Sequence, residues 1–145
     1  MKLFFDEDTG RGVPIALNAV GIKADYVGNK RRFRNGTADE IWLPVAGREG
    51  WLVFSCNKAI LVAEAQKALF IEERVGAVFL TSGQERKLDL LRLILRKLDW
   101  LELIDREEER PFAFEITISG RTRRSPMLPL TLAEMRSASR PSERR

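Results

Sequence analysis

Short apolar runs alternate with amphipathic stretches along this chain. Largely apolar runs at residues 2–5, 51–54 and 76–80 have the length of buried strands, and residues 21–27 resemble a further strand. An uninterrupted apolar strand, of which residues 51–54 are the clearest case, needs cover on both faces. This pattern favours a parallel sheet between layers of helices.

Helical spacing and terminal signals predict helices at residues 15–20, 37–49, 59–73 and 84–100. Pro44 would remove a backbone donor inside the second of these, so we expect a kink or a break there. Because strands alternate with helices, the predicted fold class is α/β with a mostly parallel sheet.

The pattern changes towards the C-terminus. After an acidic turn at residues 105–110, residues 112–118 alternate between apolar and polar side chains, which predicts a half-buried strand at an edge of the sheet. We therefore expect one domain over residues 1–118. Residues 119–145 are rich in arginine, serine and proline and are expected to form a basic, flexible tail, in which residues 128–135 could alternatively dock as a short helix.

Composition narrows the possible chemistry. The chain has no histidine and a single cysteine, Cys56, which excludes histidine-assisted nucleophiles, histidine-ligated metals and an internal disulfide. Hydrolytic chemistry would rest on carboxylates, whose usual metals are Mg²⁺ and Mn²⁺. No apolar run is long enough to span a membrane and no signal peptide precedes the first strand, so the expected location is the cytoplasm.

Charge is unevenly distributed. The net charge is +4, and residues 119–145 hold seven arginines against two glutamates. Basicity is therefore concentrated in the tail and in one cluster, residues 30–34.

Acidic side chains occur at two places where a metal site could form. Asp6 and Asp8, with Glu7 between them, follow the first strand, and Asp39 and Glu40 open the second helix. Carboxylates from separate elements can converge at the C-terminal edge of a parallel sheet and hold divalent ions.

A purely structural role would explain the same residues. Thr37 and Glu40 fit a capping box, the acids after the first strand fit a solvated turn, and Asn57 fits a helix N-cap. The local pattern leaves both interpretations open.

Cationic side chains suggest contacts with nucleic acid. Lys30, Arg31, Arg32 and Arg34 surround Phe33, an arrangement that could grip a phosphate backbone while the phenyl ring stacks on a base. A solvated surface loop is the alternative. Further candidate contacts with nucleic acid are Arg11 and Lys58.

The order of three motifs resembles the PIN-like nuclease fold. They are Leu3-Phe4-Phe5-Asp6-Glu7-Asp8, Thr37-Ala38-Asp39-Glu40-Ile41 and Gly50-Trp51-Leu52-Val53-Phe54-Ser55-Cys56-Asn57-Lys58. The similarity covers roughly residues 1–83, and the branch it most resembles is that of the short VapC-related toxins of toxin–antitoxin systems. The resemblance implies a three-layer α/β/α sandwich that cleaves RNA with Mg²⁺ or Mn²⁺.

The resemblance also implies roles for particular residues. Asp6, Glu40 and Asn57 would be catalytic, and the expected metal ligands are Asp6, Asp8, Asp39 and Glu40. Asn57 departs from the family pattern, which has an aspartate there, and an amide brings no charge to the site. A degenerate module that binds nucleic acid or protein without cleavage is therefore the alternative function.

The same resemblance implies partners. RNA and a small antitoxin protein are expected, a homodimer stays open, and no membrane contact is expected.

Overall fold

A computed structural model describes residues 1–29, 32–83 and 85–128. Within these ranges the chain forms an α/β fold with one six-stranded sheet. The strands are β1 (Leu3–Phe5), β2 (Ala24–Tyr26), β3 (Leu52–Ser55), β4 (Gly76–Leu80), β5 (Phe112–Ile116) and β6 (Thr122–Arg124). The helices are α1 (Gly12–Ala19), α2 (Asp39–Glu49), α3 (Glu64–Glu72), α4 (Lys87–Arg96) and α5 (Leu98–Glu107).

The sheet has the strand order β2-β1-β3-β4-β5-β6. The first five strands of that order run parallel, and β6 pairs antiparallel with β5. The C-terminal ends of the parallel strands consequently share one edge of the sheet, and the polar segments that follow β1, β3 and β4 lie along it.

Successive residues of the central strands point to opposite faces, and each face is buried by helices. Leu3 and Phe5 belong to an apolar cluster with side chains of α1, α4 and α5, whereas Phe4 belongs to a second cluster with side chains of α2 and α3. All three strand residues are fully buried. The predicted α/β class and three-layer arrangement are therefore confirmed.

Two helix predictions differ from the structure. The helix expected at 84–100 is a pair, α4 and α5, and α5 continues into the segment expected to be an acidic turn at 105–110. The helix expected at 59–73 begins as a 3-10 turn at Lys58–Leu61, and α3 follows. The helical character of both segments was identified correctly. The pattern of side chains alone does not show at which residue one helix ends and the next begins.

Pro44 does not break α2, which is one helix from Asp39 to Glu49. The donor that proline lacks would have bonded the carbonyl of Glu40 in the first turn. Glu40 is exposed, so water can take that hydrogen bond.

The C-terminal part of the sheet corrects two predictions. β5 is buried along its whole length and is not an edge strand, because β6 pairs with it. Residues 119–128, expected to be part of the tail, instead belong to the folded body, since β6 pairs with β5 and Leu128 is buried. Residues 129–145, with most of the alternative helix 128–135, lie outside the described residues. Within the described part of the chain, no helix combines the length and apolar character needed to cross a membrane.

Helices α2 and α3 approach closely at Gly47. A Cβ atom added there would collide with the carbonyl oxygen of Glu73, whereas one added at Gly12, in the first position of α1, would meet nothing within 4 Å. Alanine at position 47 would thus force the end of α3 away from α2.

We expect Gly47→Ala to lower the free energy of unfolding by about 1–3 kcal/mol, the usual cost of overpacking, despite a gain in helix propensity. Gly12→Ala, the matched control, should leave stability unchanged or raise it by up to about 1 kcal/mol. Urea unfolding followed by circular dichroism measures both variants, and equal stabilities would contradict the close approach.

Candidate acidic site at the sheet edge

Asp6 ends β1 and is fixed by two neighbouring residues. Its Oδ1 atom accepts hydrogen bonds from the backbone N–H of Thr9 at 3.2 Å and from the Thr9 hydroxyl at 2.7 Å, so it caps the 3-10 turn Glu7–Thr9. Its Oδ2 atom accepts a hydrogen bond from the hydroxyl of Ser55. Because β1 and β3 are adjacent and parallel, Ser55 reaches Asp6 from the matching end of β3.

Burial raises the pKa of Asp6 above its ordinary value. The hydrogen bonds from Ser55 and Thr9 oppose this effect, and the charge of Asp8 adds to it. Asp6 is only 4% exposed. Its ionised form is therefore costly and would be favoured by a nearby cation.

Asp39 reaches the same edge of the sheet from a different element, because it is the first residue of α2. Its Oδ1 atom accepts a hydrogen bond from the indole N–H of the buried Trp42 at 3.1 Å, which fixes the carboxylate one helical turn away. Burial raises the pKa of Asp39, and the charges of Glu40 and Asp8 raise it further.

These carboxylates face a shared cavity of about 120 Å³. Its wall consists of Asp6, Glu7, Asp8, Thr37, Asp39, Trp42 and Asn57. The volume is well below the roughly 300–1,000 Å³ of ordinary ligand pockets and suits a hydrated ion better than a nucleotide. The structure thus places four of the predicted site residues, Asp6, Asp8, Asp39 and Asn57, on the wall of one cavity.

Glu40 does not line this cavity. It is exposed, and its Oε1 atom accepts a hydrogen bond from the side chain of Gln66 at 2.9 Å. The predicted capping box is also wrong, because Ala38 is the N-cap of α2 and the Thr37 hydroxyl donates to the carbonyl of Arg34. The acidic residue that α2 contributes to the cavity is therefore Asp39, since consecutive helix residues point in different directions.

Asn57 acts as the N-cap of the 3-10 turn Lys58–Leu61, as the structural interpretation of the sequence predicted. Its Oδ1 atom accepts a hydrogen bond from the backbone N–H of Ala59 at 3.0 Å, and its own backbone N–H donates to the Ser55 hydroxyl at 2.9 Å. One lone pair of the amide oxygen is used by the cap, so Asn57 can offer the cavity the other lone pair or its N–H₂ group.

The side chains that line the cavity fit a hard divalent ion that is bound weakly. The carboxylates that line the cavity provide oxygen ligands, which Mg²⁺ and Mn²⁺ prefer. Among the described residues, no three acidic, histidine or cysteine side chains are close enough to enclose an ion directly. Such an ion would therefore be bound by one or two carboxylates and keep several water ligands, as Mg²⁺ usually does.

In its described residues, the predicted basic loop packs against the folded body rather than presenting an aromatic ring to RNA. Phe33 is buried and packs edge-on against Phe4, with ring centroids 5.5 Å apart, so it cannot stack on a base. The Arg32 guanidinium lies 4.7 Å from the ring centroid of Trp51 and pairs with Glu49 at 3.4 Å. Arg32 and Phe33 anchor the loop, and Lys30 and Arg31 lie outside the described residues.

Three other cations predicted to contact nucleic acid are placed as follows. Arg34 and Arg11 are exposed, and Arg11 immediately precedes α1. Lys58 is half-buried and begins the 3-10 turn that Asn57 caps. Lys58 is thus next in the chain to a cavity residue.

Lys87 was not predicted to be near the site. Its Nζ atom donates to the carbonyl of Thr9 at 2.7 Å, from the first position of α4. Gly10 has a φ of +79°, and a Cβ atom there would lie 3.3 Å from that Nζ. Glycine therefore permits both the turn and the close approach of Lys87. The two residues are 78 positions apart, and no local sequence signal connects them.

Comparison with known proteins gives one match. A family model described as a PIN like domain matches residues 1–82, which are more than half of the chain and include the whole wall of the cavity. No curated protein and no solved structure matches.

The raised pKa of Asp39 makes a prediction about stability. Folding strengthens proton binding to this carboxyl, so its ionisation costs stability. That cost is absent below the ordinary value of 3.8 and fully present once the pH exceeds the folded pKa. In chelator at pH 7, Asp39→Asn, which keeps an acceptor for Trp42, should raise the melting temperature, and the gain should vanish as the pH falls towards 3.8.

Asp89 provides a control of opposite sign. A hydrogen bond from Arg86, and the charges of Arg86 and Arg92, lower the pKa of Asp89. Its ionised form therefore stabilises the folded chain above pH 3.8 and this contribution is lost in acid. Asp89→Asn should leave the melting temperature at pH 7 unchanged or lower it, and a gain equal to that of Asp39→Asn would argue against electrostatic strain in the cavity.

Proposed function

Since the chain belongs to the PIN-like domain family, we propose that it is a metal-dependent endoribonuclease whose active site is the acidic cavity. The observation that carries the proposal is the convergence of Asp6, Asp8 and Asp39, from two distant segments of the chain, on one small cavity at the sheet edge. Each of these residues alone could be a turn or a helix cap. Burial raises the pKa of Asp6 and of Asp39, and the charge of Asp8 adds to both effects, which a structural role does not require.

The chain's own residues would bind and orient the ion. A bound Mg²⁺ or Mn²⁺ would supply an activated water and stabilise the negative charge that develops on the phosphate. Ser55 and Thr9 hold the Asp6 carboxylate in one orientation, and Trp42 does the same for Asp39. Asp8, on the 3-10 turn, lines the same cavity and would add negative charge to the proposed metal site.

RNA is the proposed substrate, and the support is the resemblance to PIN-like ribonucleases together with cations beside the cavity. Lys58 follows Asn57 directly and can contact a phosphate that enters the site. The finer proposal is that the enzyme is the toxin of a toxin–antitoxin pair, neutralised by a small antitoxin protein. If so, induced expression should arrest growth, and Asp6→Asn should relieve that arrest.

Asn57 favours a second candidate function. Where the resembling family carries an aspartate, this chain has an amide whose oxygen already caps the next turn. The cavity thus lacks one negative ligand, which weakens its attraction for a divalent ion. The second candidate is a PIN-like module that binds nucleic acid or a protein without cleaving it.

We expect Asp6→Asn and Asp39→Asn each to reduce Mn²⁺-dependent cleavage of single-stranded RNA by at least about 100-fold, because each removes a charge from the proposed metal site. Glu40→Gln is the matched control. It makes the same chemical change one residue from Asp39 but outside the cavity, and it should change the rate less than about threefold. Cleavage of a fluorescent oligonucleotide, with and without chelator, measures all three variants. Activity that persists in chelator would overturn the proposal.

Asn57→Asp separates the two candidate functions. An aspartate can keep the cap to Ala59 and adds one charge to the cavity, so Mn²⁺ should bind about tenfold tighter or more. Isothermal titration with Mn²⁺ measures this change. If the natural chain neither binds the ion nor cleaves RNA and the variant does both, the non-catalytic module is the correct assignment.

A further inference from the structure

A second group of polar and cationic side chains lies on the same edge of the sheet as the acidic cavity. The turn between β5 and β6, residues 117–121, is closed by hydrogen bonds from Gly120 N–H to the Thr117 carbonyl and from Thr117 N–H to the Arg121 carbonyl, both 2.9 Å. Arg96 and Lys97, at the end of α4, reach this turn at Gly120. We call residues 117–121 together with Arg96 and Lys97 the basic turn.

The positive charge of the basic turn is not neutralised. Arg96 donates to the carbonyl of Ile118 at 3.1 Å, and Lys97 lies 5.6 Å from the ring centroid of Trp100. Within residues 1–29, 32–83 and 85–128, neither they nor Arg121 forms an ion pair with a carboxylate. Arg96 and Lys97 approach the turn from α4 and Arg121 belongs to the turn itself, so this part of the surface is positively charged and attracts an anionic ligand.

A cavity of about 400 Å³ opens beside the basic turn. Its wall consists of Thr81, Glu115, Thr117, Arg121, Thr122 and Arg123. Glu115 does not repel an anion, because the Arg123 guanidinium binds its Oε1 atom through two N–H groups at 2.9 and 2.7 Å. The volume lies within the roughly 300–1,000 Å³ of ligand pockets and can hold a nucleobase or a nucleotide.

The position of α4 fixes the separation of the two sites. Its first residue, Lys87, bonds to Thr9 beside the acidic cavity, and its last residue, Arg96, bonds to Ile118 in the basic turn. Ten helical residues span about 15 Å. Three strand spacings, from β1 through β3 and β4 to β5, give about 14 Å. Both routes therefore place the basic turn a few nucleotides from the acidic cavity.

We propose that the basic turn and its cavity form a second subsite for single-stranded RNA, in which the cavity receives a nucleotide whose phosphate contacts Arg121, and a neighbouring backbone phosphate contacts Arg96 and Lys97. This inference rests on the proposed ribonuclease function, because RNA is the anionic polymer that would also reach the acidic cavity. The subsite would hold the strand while a more distant phosphate lies over Asp6 and Asp39.

The test is equilibrium binding of a fluorescein-labelled 12-nucleotide oligouridine, measured by anisotropy in chelator so that no cleavage occurs. Arg96→Ala with Arg121→Ala should weaken binding about tenfold or more. The slope of log K against log salt should become shallower by about 1.4, the value for two phosphate contacts to a single strand. Arg96→Lys with Arg121→Lys keeps the charge and should recover most of the affinity.

Lys23→Ala with Arg48→Ala is the matched control. Both residues are exposed, and they precede β2 and β3 respectively, so they lie at the opposite edge of the sheet. This variant loses the same charge and should weaken binding less than about twofold. Equal losses in the two double variants, or no loss at the basic turn, would overturn the subsite. So would tighter binding of polyglutamate than of RNA through the same arginines, which would indicate an acidic protein partner.

The two proposals can fail separately. If the natural chain binds RNA through the basic turn but cleaves none with Mg²⁺ or Mn²⁺, the subsite holds and the nuclease function fails. If the chain cleaves RNA and the basic-turn variant binds as tightly as the natural chain, only the subsite fails.

Discussion

The carboxylate of Asp6 is held before any ligand arrives, and the geometry of the sheet edge depends on how it is held. One oxygen caps the turn Glu7–Thr9, and the other receives the Ser55 hydroxyl from β3. The Ser55 hydroxyl in turn accepts the backbone N–H of Asn57, and the Thr9 carbonyl accepts Lys87. A single buried acid thus connects β1, β3 and the start of α4. Removing its charge weakens the acceptor at the centre of this network and leaves it fewer lone pairs for the same donors.

The surrounding fold explains why this arrangement is tolerated. Buried carboxylates destabilise a protein unless hydrogen bonds satisfy them. Asp6 is supported by the end of β1, which is buried on both faces, and Asp39 by the buried indole of Trp42. The apolar layers therefore hold two acids at a shared cavity although the ionisation of each is costly, and carboxyl groups perturbed in this way are typical of functional sites.

The position of a candidate site residue could be predicted from the sequence wherever that position follows from the arrangement of the strands. Parallel strands deliver their C-terminal residues to one edge, so the proximity of Asp6 to Asn57 could be predicted from two apolar runs alone. The sequence could not show whether Asp39 or Glu40 lines the cavity. Both residues lie in the first turn of α2, and only the orientation of the helix decides which of them faces the cavity. Phe33 was misassigned for a related reason, since its charged neighbours concealed a ring that packs on Phe4. Lys87 and the basic turn depend on contacts between distant segments, for which one sequence carries no local signal.

β6 affects whether copies of this protein can associate through the edge of the sheet. β5 is a fully buried strand of apolar residues around Glu115, and without β6 its backbone would be an open template for another chain. β6 instead presents three exposed residues, two of them arginines, to the outside of the sheet. The charges of Arg123 and Arg124 make strand addition from a second copy unfavourable. A shortened chain that ended at residue 118 would lose this protection and would be prone to aggregate through β5.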